Sequence, residues 1–264
     1  LINYKNIKLG LNPKELDKRT LRLESVLKPK LPIIPETFDL DTIRAQDKRM
    51  FANDDWGDCV IAGRAHMTLR FEEYELGKFL NISDDEVLAE YWMEQGATPV
   101  TRTHFCKTQQ GWSSKPDNGL DMITSLKAWS KGWKAAGGSY SIDAYGVIDV
   151  VNQDAVRAVL YLLNGAYIAL ALPLSAQKQT IWDAADDSQG GIAGTWGYHC
   201  VYLTPKVTPE GLQCVTWGSY QKMTWAFLIK YCYQFFGVVD NRDSKDSILD
   251  VEKLQSYLDA VRRN

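Results

Sequence analysis

The spacing of apolar residues changes period halfway along this chain, and that change limits the fold more than any other feature. Between Cys59 and Tyr74, Val60, Ile61, Ala65, Leu69 and Phe71 fall mostly at helical spacing. Ser83-Asp-Asp-Glu86 is a capping box ahead of Val87–Trp92 and predicts the start of a second helix. Leu120–Trp133 and Val151–Leu163 read as two more helices, the latter stopped by Asn164-Gly165. Strand patterns then take over. Ala166–Leu172 is an unbroken apolar run of strand length. His199–Leu203, Leu212–Trp217 and Phe235–Val239 are strand-like runs between turn signals, with a short helix expected over Thr224–Tyr233. Helices first and strands later predict an α+β fold.

Ahead of this block, the first ~35 residues are polar and dotted with Pro13, Pro29, Pro32 and Pro35, which reads as an arm wrapping the domain. Leu31–Asp39 looks like an extended entry segment, and Gly96–Asn118 like a polar surface loop. The organisation expected is an N-terminal arm over 1–30, one domain over 31–240 and a C-terminal helical tail over 241–264. A chain of 264 residues with 45% hydrophobic side chains can bury a core of that size. The formal net charge of −3 gives no electrostatic case for a nucleic-acid partner. The longest apolar run is too short for a bilayer, and no signal core opens the sequence, so no membrane partner is expected. The chain opens without Met, which leaves N-terminal processing open. A soluble protein, cytoplasmic or virion-associated, is the expectation. The five cysteines are odd in number and none forms a Cys-x-x-Cys pair, so neither a disulfide framework, a bound metal nor another cofactor is expected.

Chemistry gathers around Cys59. A thiol at a helix N-terminus is the arrangement that favours thiolate, because helix dipole and free N–H groups stabilise the anion. His199, at the head of a later strand, supplies a base or ion-pair partner. Asn53 lies six residues before Cys59, in Asn53-Asp-Asp-Trp-Gly-Asp-Cys59, where an amide can fold back beside the Cys59 N–H and aim two donors at one oxyanion. His199 is followed by strand, turn and strand ending in Thr216-Trp217-Gly218.

These motifs resemble the papain-like cysteine peptidases. That family carries an amide side chain six residues before a Cys that opens a helix. A His then enters a strand, and after a hairpin comes Asn-Ser-Trp-Gly, whose Asn orients the His. Here the matching positions are Asn53, Cys59, His199 and Trp217-Gly218, and Asp117-Asn118-Gly119 resembles the turn before that fold's third helix. More narrowly, Asn53–Cys59, Trp196–His199 and Val215–Trp225 resemble motifs of a group of bacterial and phage-encoded papain-like proteins. The resemblance implies a helical lobe, a mainly antiparallel sheet lobe and a cleft between them. It further implies a cysteine hydrolase acting on a peptide or amide. Cys59 would attack, His199 would carry the proton, Asn53 would stabilise the oxyanion, and Trp217, Gly57, Asp58 and Trp196 would line or shield the cleft.

The sequence departs from the pattern at named points. Val215 stands where that family has Asn, and Val cannot hold an imidazole. Thr216 is the nearest polar substitute, with a water or Asp183 as alternatives. Asp58, directly before Cys59, would raise the thiol pKa if it pointed at the sulfur. These departures sustain a second expectation, a papain-fold binding or structural protein, such as a virion component in a larger assembly. Other residues read as structural or solvated: His66 two turns along the same helix, His104 with Cys106, the acids Asp183, Asp186 and Asp187, Trp225, and Cys200, Cys214 and Cys232.

Overall fold

The computed structural model describes residue 4 and residues 7–16, 20–26, 32–41, 48–96 and 117–240. The expected helical tail over 241–264 and nearly all of the loop expected over 96–118 lie outside these residues.

Helix α1 (Cys59–Leu76) is the axis of the molecule. It is buried almost all round from Cys59 to Glu73, which explains why its sequence lacks a clean polar stripe. It ends at Gly77, whose φ of 61° supplies the left-handed C-cap. Helix α2 (Asp84–Glu94) starts on the capping box legible in the sequence: the Ser83 hydroxyl accepts from Glu86 N–H, and the Glu86 carboxylate accepts from Ser83 N–H at 2.8 Å. Helix α3 (Met122–Trp129) is capped by Asp121. It is shorter than the helix expected over Leu120–Trp133. Gly132 adopts φ 92°, which turns the chain into a small hairpin, β2 (Trp133–Ala135) and β3 (Gly138–Tyr140).

The remaining strands form one sheet. They are β1 (Phe38–Asp39), β4 (Ile142–Val147), β5 (Ala166–Leu172), β6 (Ile181–Trp182), β7 (Gly197–Thr208), β8 (Gly211–Thr216), β9 (Ser219–Met223) and β10 (Cys232–Asp240). Their order is β4-β10-β5-β7-β8-β9-β6, with β1 on β7. Every pairing is antiparallel except β6 with β9. Helix α4 (Gln153–Leu162) and the short α5 (Trp225–Tyr231) are the remaining α-helices among the described residues. Among the described residues of the expected entry segment, Phe38–Asp39 pairs as a strand, with Val207 and Lys206. Strand β4 precedes α4, so helices and strands are less cleanly separated than the apolar period suggests.

The sheet has a core on each face. Tyr167, Ala169, Cys200, Tyr202 and Val215 face α1, whereas Ile168, Leu170, Val201, Leu203 and Cys214 face the side of α4 and α5. This is the period-two alternation of strands, hidden in sequence because both faces are apolar. Close approach of α1 to the sheet depends on Gly63. A Cβ there would stand 2.9 Å from the Tyr167 ring and 3.5 Å from Cys200 Sγ.

On its other side α1 is tied by charge. Arg64, fully buried, pairs with Glu90 at 3.0 Å and with Glu94, and donates to the Ser125 carbonyl at 3.0 Å. One guanidinium thus links α1, α2 and α3. Removing it leaves two largely buried acids without their cation. An Arg64→Ala variant should lose roughly 3–5 kcal/mol of stability, read as a shift in the urea unfolding midpoint.

Candidate active site

Cys59 is the first residue of α1 and is fully buried. Its sulfur accepts the Cys200 N–H at 3.4 Å, which ties the thiol to β7 one residue from His199. The Gly10 backbone N–H also acts on the sulfur in the direction that favours thiolate. The helix dipole favours thiolate here, yet burial outweighs it. Desolvation, with a smaller push from the Asp58 carboxylate, drives the thiol up to about 12 against the opposing N–H donors.

His199 sits in β7, opposite Leu170 of β5, with no exposed surface. Its Nε2 lies 2.6 Å from Thr216 Oγ1. The reason Thr216 reaches it is strand parity. Cys214 faces the α4–α5 side and Val215 faces α1, so Thr216 returns to the face shared by His199, Val201 and Leu203. Val215 points to the other face of the sheet. The tautomer that donates Nε2–H to Thr216 is the one that leaves Nδ1 its lone pair. Nδ1 is buried with no hydrogen-bond partner among the described residues. Burial lowers the imidazole to about 3, so the ring is neutral at pH 7 in this state.

Trp217 covers the ring. The two planes stack at 4.3 Å between centroids and 13° between planes. The backbone makes this possible. Trp217 (φ 45°) and Gly218 (φ 70°) are both left-handed, forming the two-residue turn between Thr216 and Ser219 that joins β8 to β9. A left-handed Trp is a costly conformation, and here it swings the indole over His199. Trp196 packs against Trp217 at 5.5 Å, and Trp182 meets it edge-on at 6.1 Å.

Asn53 is buried beside the nucleophile loop. Its Nδ2 donates to Asp58 Oδ1 at 2.8 Å and to the Trp56 carbonyl at 3.2 Å. In this state the amide serves the loop's own carboxyl and carbonyl. Burial holds the Asp58 carboxyl well above its ordinary range, only partly offset by the Asn53 bond. Asp183 is engaged at the N-terminus of α5, where it accepts from the Thr224 hydroxyl at 2.6 Å. His66 packs its ring on Phe51, centroids 4.8 Å apart. Cys200, Cys214 and Cys232 are buried and free, whereas His104 and Cys106 lie outside the described residues.

The sequence pattern singled out neither Tyr91 nor the role of Asp117. The Asp117 carboxylate accepts the Gly57 N–H at 3.1 Å, the Tyr91 hydroxyl and the Lys8 ammonium at 3.0 Å, and Tyr91 in turn accepts the Gly119 N–H at 3.0 Å. Tyr91 is hidden in sequence because it looks like one more apolar position of α2. Asp117 carries a signal, the Asp-Asn-Gly turn, without one for its partners. A cavity of about 910 Å³ between α2 and the β2–β3 hairpin is lined by Glu86, Glu90, Trp133 and Ser139, away from Cys59 and His199.

The buried pair predicts a pH signature. His199 titrates near 6.5 when unfolded and at about 3 in the fold, so its contribution is whole above about 6.5 and is lost as pH falls toward 3. Cys59 acts on the alkaline side, where stability declines from about 9 toward about 12. Urea midpoints at pH 7, 6 and 5 should show the wild type losing up to about 1.4 kcal/mol per pH unit more than His199→Gln.

No protein-family model matches the chain, and no curated protein matches it in sequence. Solved structures do match. Xylellain, a cysteine protease from Xylella fastidiosa, superposes with a TM-score of 0.58 at 13% identity, over 92% of this chain and 99% of its own. The Carica candamarcensis cysteine protease CMS1MS2, solved in complex with E-64, gives a TM-score of 0.47 at 14% identity, over 79% of this chain and 100% of its own. At this identity the first superposition speaks for fold, and the second adds nothing to it. The chain has the papain-like α+β fold, with Cys59 opening the central helix of one lobe and His199 in the sheet of the other.

Proposed function

We propose that this chain is a cysteine hydrolase, a peptidase or amidase, with Cys59 as nucleophile and His199 as its proton partner. One observation carries the reading. In a papain-like fold, a thiol at a helix N-terminus is tied to the residue after a histidine whose Nε2 meets Thr216 and whose face is covered by Trp217.

The chemistry follows from the roles these atoms can play. Cys59 Sγ and His199 Nδ1 share no hydrogen bond in this state; once they close to within proton-transfer reach, the thiol gives its proton to Nδ1 and the thiolate attacks the carbonyl carbon. Negative charge develops on the carbonyl oxygen near the Cys59 N–H, and Asn53 supplies a second donor once its amide turns from Asp58. His199 then protonates the leaving amine, and water releases the acyl group by the same route in reverse. Thr216 is a positioning residue that holds the ring through Nε2. The thiolate form requires water or substrate charge to reach the pair, since burial alone favours neutral thiol and neutral imidazole.

That neutrality, with the buried Asp58 next to Cys59, also supports a second reading: a papain-fold binding or structural protein, for example in a virion. Turnover separates the two. Hydrolysis of a fluorogenic peptide amide should vanish in Cys59→Ala and fall about tenfold, or ~1.4 kcal/mol, in Thr216→Val. No hydrolysis of peptide, amide or ester by protein whose Cys59 is open to iodoacetamide would favour the binding reading.

A further inference from the structure

Helix α2 carries five acids, Asp84, Asp85, Glu86, Glu90 and Glu94, and no base. Arg64 answers Glu90 and Glu94 from inside the protein. Glu86 accepts the Ser83 and Ala136 N–H groups, which are neutral donors. Among the described residues, no ion pair reaches Asp85 or Glu86. Burial raises the Glu90 carboxyl, Arg64 opposes the shift and Glu94 adds to it. The helix holds more acid than one guanidinium neutralises.

This excess faces the cavity of about 910 Å³. Asp85, Glu86, Ala89, Glu90 and Met93 recur at helical spacing and form one wall. The other wall is the β2–β3 hairpin. Trp133 and Ala135 are buried there, and Lys134 between them takes the exposed face of the strand. At Gly137 an added Cβ would meet no atom within 4 Å, so the hairpin leaves the space open.

Trp133 makes a separate demand. It is 2% exposed and stands on the cavity wall, and its Nε1–H is a buried donor with no partner among the described residues. Such a donor costs free energy until an acceptor reaches it. The Arg64 guanidinium already lies 5.7 Å from the ring centroid, so the indole is part of a surface that accepts cations.

The acid wall asks for a cation, and the indole asks for an acceptor. An arginine within a peptide meets both. Its planar guanidinium bonds carboxylates through paired N–H groups, its methylene stem suits Ala89 and Met93, and its main-chain carbonyl is an acceptor. We propose that the cavity between α2 and the β2–β3 hairpin binds an arginine residue of a polypeptide partner, its guanidinium on Asp85, Glu86 and Glu90 and its carbonyl on Trp133 Nε1. The site is separate from Cys59 and His199 and stands whether or not that pair hydrolyses a substrate.

Isothermal titration of the blocked peptide acetyl-Gly-Arg-Gly-amide into the full-length Cys59→Ala protein tests this, since turnover then adds no heat. Saturable binding is expected. The same peptide with citrulline for arginine keeps the shape, loses the charge and should bind about tenfold more weakly. Asp85→Lys should weaken the arginine peptide about tenfold, and the exposed, unpaired Asp85 can change without cost to the core. Trp133→Phe keeps a ring and removes the donor, for a loss of about threefold. Agmatine, a guanidinium without the carbonyl, should also bind about threefold more weakly than the peptide. If Trp133→Phe does not fold, the agmatine comparison reads the carbonyl contact in its place. Equal affinity for the arginine and citrulline peptides would overturn the proposal, as would binding unchanged in Asp85→Lys or no saturable binding at all. Agmatine binding as tightly as the peptide would overturn a peptide-borne ligand.

Discussion

Burying α1 on every side is the constraint on which this structure turns. A helix wrapped by α2 and α3 on one flank and by a sheet on the other has almost no surface left for solvent. Its polar side chains must then find partners inside, and Arg64 does so through Glu90, Glu94 and the Ser125 carbonyl. Gly63, one residue earlier, removes the bulk that would hold the sheet away. The same burial fixes the helix axially. Its N-terminus abuts β7, so Cys59 Sγ meets the Cys200 N–H.

That burial also sets the electrostatic contest at the site. A helix N-terminus stabilises an anion by an amount that is modest beside the cost of a dry thiolate. Desolvation wins at Cys59 and at His199 alike, and it pushes their titrations apart, to about 12 and about 3. A thiol above its histidine in pKa by that margin keeps its own proton. Whatever rehydrates the pair or brings charge to it changes the protonation state, so access and chemistry are coupled at this pair.

Much of the architecture is legible in sequence where local chemistry decides it. The Ser83–Glu86 box starts α2, Asn164-Gly165 closes α4, and the change from helical to strand period gives the α+β class. Short strands escaped because length and pattern are weak there. β2, β3 and β9 carry few residues and, at Trp133, a side chain suited equally to a helix. At the site, Cys59 at a helix start and His199 in a strand follow from their flanking patterns. The partner of the imidazole depends on which face of β8 each residue takes, and a left-handed Trp217 obscures that register in sequence. The Asp117–Tyr91–Lys8 junction joins residues 26 and 109 positions apart, and no local signal encodes it.

Residues 10–12 run between two walls of the molecule, with Leu11 N–H on the Tyr198 carbonyl and with Gly10 and Asn12 paired to Leu120. The chain is held again at Arg22, which bridges Val147. A contact made on so short a tether is set by an effective concentration on the order of millimolar. Its occupancy is therefore the same at any protein concentration, and diluting the protein does not loosen it.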